Sequence, residues 1–124
     1  MVTKNRESSD PYYDLIEDFD LIVASFQAQY GIRLSRELPS MKWNEFKMLL
    51  SGIGSETPLG KIVAIRSEDD NEILKHFTKH QYQIRNEWRK KTAVTKTPEE
   101  VNSFLEGMKN MFIKMAGGKH EAKD

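Results

Sequence analysis

The residues best equipped for chemistry in this 124-residue chain are Glu72, His76 and His80, spaced four apart. On one continuous helix, steps of four bring all three to a single face, with carboxylate and imidazole donors that zinc accepts. Thr78 interrupts that arrangement, because it reads as the cap of a new helix beginning between the two histidines. Solvated surface residues are expected there, and no metal site. Acidic neighbours such as Glu68 with Asp70, or Asp14 with Asp18, have the composition of an acid–base pair. Carboxylates near helix starts also serve the helix dipole and solubility, which is the expectation here. The chain has no cysteine, which excludes disulfides, thiolate zinc sites and cysteine nucleophiles. It contains no Gly-rich phosphate loop, nucleophile elbow or HExxH motif. No catalytic, cofactor-binding or metal-ligating residue is assigned, and the chain is expected to bind rather than to catalyse.

Two other patterns are suited to binding. From Lys75 to Lys91 there are six basic residues against one acidic, with Tyr82 and Trp88 interleaved. Such a helix, spanning 79–91, could track phosphates and stack bases, which would make the chain a small nucleic-acid-binding accessory protein. Against this, the net charge is zero, so there is no strong electrostatic funnel and nucleic acid is not the expected partner. Met1 to Tyr30 carries six acidic residues against two basic, so the lysines and arginines are expected to meet this acidic first helix. Arg85 and Arg89 remain candidates for a protein-binding face. The second pattern is the apolar stripe of Val101, Phe104, Leu105, Met108, Met111, Phe112 and Met115. It covers four turns, about 21 Å of helix at 1.5 Å per residue, more than a small body needs to dock a terminal helix. Methionine suits surfaces that must accept more than one shape. Phe104, Met108, Met111, Phe112 and Met115 are therefore candidate partner-binding residues, for a second copy or another protein. Deletion from Thr97 onward is expected to leave the preceding helices folded.

The elements that position these residues are helices. Asp10-Pro11 has the form of an N-cap followed by proline at the first helical position. From there a helix can run to Gly31, with Leu15, Ile16, Phe19, Ile22, Val23, Phe26 and Tyr30 on one stripe and Asp14, Glu17, Asp18 and Asp20 mostly off it. Ser40 is the expected cap of a helix carrying Trp43, Phe46, Leu49, Leu50 and Ile53, which Gly52 and Gly54 would end through positive φ. Thr57-Pro58 repeats the cap-plus-proline signature for Leu59, Ile62 and Val63, with a lone strand over Lys61–Arg66 the alternative. After a polar break over Ser67–Asn71, Ile73, Leu74 and Phe77 form an apolar turn. Thr78 then opens a helix to Lys91 with Ile84 and Trp88 inward. Thr97-Pro98-Glu99-Glu100 is a capping box around a first-turn proline, and Gly117-Gly118 is the expected stop of the helix it opens. Trp43 and Trp88 are both expected in the core.

No stretch alternates with period two, so the fold class is all-α, a small helical bundle of four to six helices. A chain this long closes one hydrophobic core. The expected organisation is a disordered tail at 1–9, a helical core at 10–92, an amphipathic helix at 97–116 and a disordered tail at 117–124. Hydrophobic residues make up 38% and charged residues 31%, enough apolar content to fold. The longest uncharged run, Leu21 to Ile32, holds 12 residues, well short of the roughly 20 a membrane helix needs. Met1 to Asp10 lacks the apolar stretch of a signal peptide, so neither spanning nor secretion is expected.

Three stretches carry a family likeness: Ser25-Phe26-Gln27-Ala28-Gln29-Tyr30-Gly31-Ile32-Arg33-Leu34; Met41-Lys42-Trp43-Asn44-Glu45-Phe46 running into Leu49-Leu50-Ser51-Gly52-Ile53; and Thr57-Pro58-Leu59-Gly60-Lys61-Ile62-Val63-Ala64-Ile65-Arg66. With Phe77-Thr78 and Ile84-Arg85-Asn86-Glu87-Trp88, they resemble small proteins encoded among the tail genes of siphophages and prophages of Gram-positive bacteria, the tail assembly chaperones. The likeness covers about residues 12 to 91, and the last helix lies outside it. It implies a non-enzymatic protein, without cofactor, that keeps the tape-measure protein soluble and helps recruit subunits of the major tail tube protein. It further implies action in the cytoplasm of the bacterial host, short and frameshift-extended forms, and absence from the mature virion. A homo-oligomer is compatible with that role.

Overall fold

The fold, a computed structural model, is described over residues 12–91 and 97–123, with side chains of the last helix to residue 116. Among the described residues seven α-helices follow one another: α1 (Phe19–Tyr30), α2 (Leu34–Glu37), α3 (Trp43–Ser51), α4 (Pro58–Ser67), α5 (Asn71–Leu74), α6 (Lys79–Lys90) and α7 (Pro98–Lys123). A 3-10 turn, Leu38–Ser40, joins α2 to α3. There is no strand among the described residues, and Lys61–Arg66 lies within α4. The fold is all-α, and the count exceeds four to six because α2 and α5 are single turns, too short to show a period.

Three threonine caps form as their sequences predict. Thr57 Oγ1 accepts from Gly60 N at 3.0 Å. Thr78 and Gln81 close a capping box that starts α6, and Thr97 with Glu100 closes another, with bonds of 2.8 and 3.1 Å, that starts α7. Each satisfies a backbone N–H that the first turn leaves without a helical partner. Gly31 ends α1 at φ 70, the only positive-φ residue described.

Other boundaries differ from expectation. Asp10-Pro11 lies outside the described residues, and α1 begins at Phe19. Asp14 Oδ1 accepts from Ile16 N and Glu17 N while Asp18 Oδ2 accepts from Asp14 N, so these carboxylates hold the chain in local turns ahead of the helix. Ser40 does not cap α3. It ends the 3-10 turn, and α3 starts at Trp43 after Lys42 with no side-chain cap. Gly52 has φ −92, so its need for glycine is closeness, since a Cβ there would lie 2.7 Å from Tyr30 Oη. The stop expected at Gly117-Gly118 is absent, as α7 continues to Lys123. Glycine costs a helix only about 1 kcal/mol relative to alanine, which leaves a helix able to run through the pair.

The core is built on α1. Phe19, Ile22 and Phe26 point inward and meet Leu34, Leu38, Met41, Phe46, Leu50 and Leu59, with Leu105 and Phe112 contributed by α7. Phe26 stacks on Phe46 at 5.4 Å, and Tyr30 meets Phe26 edge-on. Each fully buried large apolar side chain contributes about 1.5–3 kcal/mol. Buried Ser25 donates to Leu21 O and accepts from Leu59 N at 2.9 Å, so α1 supplies a partner to the first turn of α4. Helix α4 packs on both α1 and α6, whereas α7 packs on α2 and the 3-10 turn.

Candidate functional site

The seven candidate binding residues do not form one patch. On α7, Leu105 and Phe112 are buried, Val101, Phe104 and Met108 are partly buried, and Phe104 meets Phe19 edge-on at 5.1 Å. Met111 and Met115 stay 44% and 54% exposed. The helix therefore spends one edge of its apolar stripe on the body and leaves the other uncovered.

Arg85 and Arg89 are on α6 and face the end of α4. Arg85 Nε donates to Glu68 O at 2.8 Å, and Arg89 Nε and Nη2 donate to Arg66 O at 3.2 and 2.9 Å. Both reach Asp69 Oδ1 at 3.2 Å. Two guanidinium groups thus bond the carbonyls at the end of α4, where backbone acceptors lack helical partners. Of the expected pairing with the acidic N-terminal stretch, Lys91 makes one contact, its Nζ 2.8 Å from Glu17 Oε1 in the turn ahead of α1. The arginines pair instead with Asp69, because α4 rather than α1 adjoins α6.

Behind them lies a cluster that sequence reasoning missed. Asp18, expected off the apolar stripe, is buried and takes two bonds from Arg66, at 2.9 and 3.2 Å. Arg66 Nη1 also donates to Tyr12 O at 3.0 Å, and its guanidinium lies 4.2 Å from the centre of the Trp88 ring. Trp88 is half-buried by this contact. Its face is taken by a cation, so no base can stack there without displacing Arg66. Trp88 and Arg66, 22 positions apart, carry no local spacing signal.

Trp43 corrects a second expectation. As the first residue of α3 it lies at the edge of the core, 39% exposed, stacked on Phe46 at 5.6 Å with Lys47 over its ring. Beside it is a cleft of about 50 Å³ lined by Leu38, Met41, Trp43, Phe46 and, from α7, Asn102, Leu105, Glu106 and Lys109. Its floor is apolar and its α7 rim carries one acid and one base.

Glu72, His76 and His80 are exposed, and Thr78 starts α6 between the histidines, so no single helical face carries all three. Among the described residues no three potential ligands are grouped. No helix among them is long and apolar enough to cross a membrane.

Residues 1–91 match the family model described as Bacteriophage Gp15 protein. The match spans most of the chain, which belongs to this family and is a bacteriophage protein. No curated protein and no solved structure matches it.

Proposed function

We propose, from membership of this phage family, that the protein is a tail assembly chaperone. It is a non-enzymatic binder that keeps the tape-measure protein soluble and helps recruit tail-tube subunits in the cytoplasm of the bacterial host. The likeness of residues 12–91 to such chaperones supports the role. The observation that carries the mode of binding is the exposed Trp43 beside its apolar cleft. A tryptophan rim over a small apolar pocket is the composition of a binding hot spot, and a helical partner presents apolar side chains at the spacing that fits such a groove. The nucleic-acid reading loses support from the geometry, because Arg85, Arg89 and the Trp88 face are committed to the end of α4 and to Arg66.

Coexpression with the tape-measure protein of the same phage tests the proposal. The wild-type chain should hold that protein in the soluble fraction and co-purify with it. Trp43→Glu, checked for unchanged helicity, should lose both effects. A tape-measure protein that is equally insoluble with and without the wild-type chain would refute the chaperone role. Undiminished capture by Trp43→Glu would refute the cleft.

A further inference from the structure

We infer that the outer face of α7 is a self-association surface, covered by the α7 of a second copy running antiparallel. The inference goes beyond the chaperone proposal and needs no tape-measure protein. At 3.6 residues per turn, Glu100, Gly107, Met111, Lys114 and Met115 fall within a stripe about 100° wide. All five are exposed, and a Cβ built on Gly107 would meet nothing within 4 Å.

Gly107 is a mid-helix glycine that the monomer does not need: its φ is helical and no neighbour crowds it. An alanine there would favour the isolated helix. A bare backbone facing open space does allow a second helix to approach closely at that point.

The charges on the stripe say which helix. Glu100 lies seven residues before Gly107 and Lys114 seven after, each about 10 Å along the axis. An antiparallel pair crossing at Gly107 therefore sets Glu100 of each copy against Lys114 of the other, giving two ion pairs related by the twofold. Met111 of each copy then meets Ser103 and Phe104 of the other. A parallel pair would set like charge against like. The Glu100 oxygen bonded to Thr97 N is Oε1, so Oε2 is not part of the cap. One contact thus covers Met111 and uses the glycine and the charge pattern together.

Sedimentation equilibrium over a concentration series tests this. Wild type should dimerise, and Lys114→Glu and Glu100→Lys should each weaken the dimer on the order of 10-fold, since two attractions become two repulsions. An equimolar mixture of the two variants should restore wild-type affinity, because both pairs in the heterodimer are again attractive. Gly107→Leu should gain helicity by circular dichroism and lose the dimer. A wild type that stays monomeric, a mixture no tighter than its components, or a Gly107→Leu dimer of unchanged affinity would each overturn the inference. So would association that occurs only when a tape-measure helix is added.

Discussion

Replacing Arg66 with methionine removes a side chain that ties the segment before α1, α4 and α6 together. The change keeps the length of the stem and deletes the guanidinium. Three sets of contacts go with it: two bonds to Asp18, one to Tyr12 O, and the stacking on Trp88. Asp18 and Arg66 side chains are only 9% and 13% exposed, so the abandoned carboxylate keeps Asp14 N as a partner but loses its counter-charge away from water. Breaking such a pair from one side costs about 3–5 kcal/mol, and the stacking is included in that sum. At an unfolding entropy of about 2.1 cal/mol/K per residue, a chain of 124 residues loses about 15 °C of Tm for 4 kcal/mol. The companion Asp18→Asn/Arg66→Met should recover much of the loss. Asparagine still accepts from Asp14 N but leaves no buried charge, and replacing both members of a buried pair is often nearly neutral. Thermal unfolding followed by circular dichroism on the wild type, both single variants and the double variant closes the cycle. An Arg66→Met variant melting within a few degrees of wild type would refute the reasoning, as would a cycle that sums with no coupling.

Phe46→Ala should cost about 3–5 kcal/mol because the ring is 1% exposed, whereas Trp43→Ala should cost about 1 kcal/mol, both read from urea unfolding midpoints. Gly60→Ala should destabilise by about 1–3 kcal/mol in the same assay, since its Cβ would strike Gly54 O and lie 2.7 Å from Ser55 Cα, and neither backbone atom can rotate away. Deletion from Thr97 onward removes Leu105 and Phe112 from the core and uncovers Leu38 and Met41. Contrary to the expectation from sequence, the shortened chain should show a broadened, lower thermal transition, and an unchanged transition would mean that α7 contributes nothing to the core.

Where the sequence was informative, the signal was local. Thr57, Thr78 and Thr97 each announce a helix start because the side chain and the N–H it satisfies lie three residues apart, within reach of any pattern search. Ser25 performs a related service for Leu59 N from 34 residues away, and no spacing rule encodes that. The same distinction explains Asp18. On a helical wheel it falls off the apolar stripe and reads as solvent-facing, yet Arg66, 48 positions on, makes its burial tolerable. Ser40 fails as a cap because Leu38-Pro39 takes up a 3-10 turn instead, a competition between two short structures that a cap preference cannot weigh.

The stripe on α7 shows how far periodicity reaches and where it stops. The sequence shows seven apolar residues over four turns, a stripe about 120° wide and about 21 Å long, so it implies an amphipathic helix longer than a small body needs to dock. It does not say which edge goes inward, because Leu105 with Phe112 and Met111 with Met115 are comparably apolar and lie only about 60° to 120° apart around the axis. The choice is made by the partners: Leu38 and Met41 approach α7 from the side of Leu105, and Phe19 reaches Phe104 at the junction of the two edges. Once that side is occupied, the outward edge is determined, and with it the residues left for anything else to touch. Gly107 and Met111 share that edge with Glu100 and Lys114, so the helix that completes the core also presents a surface whose charges are complementary to their own antiparallel copy.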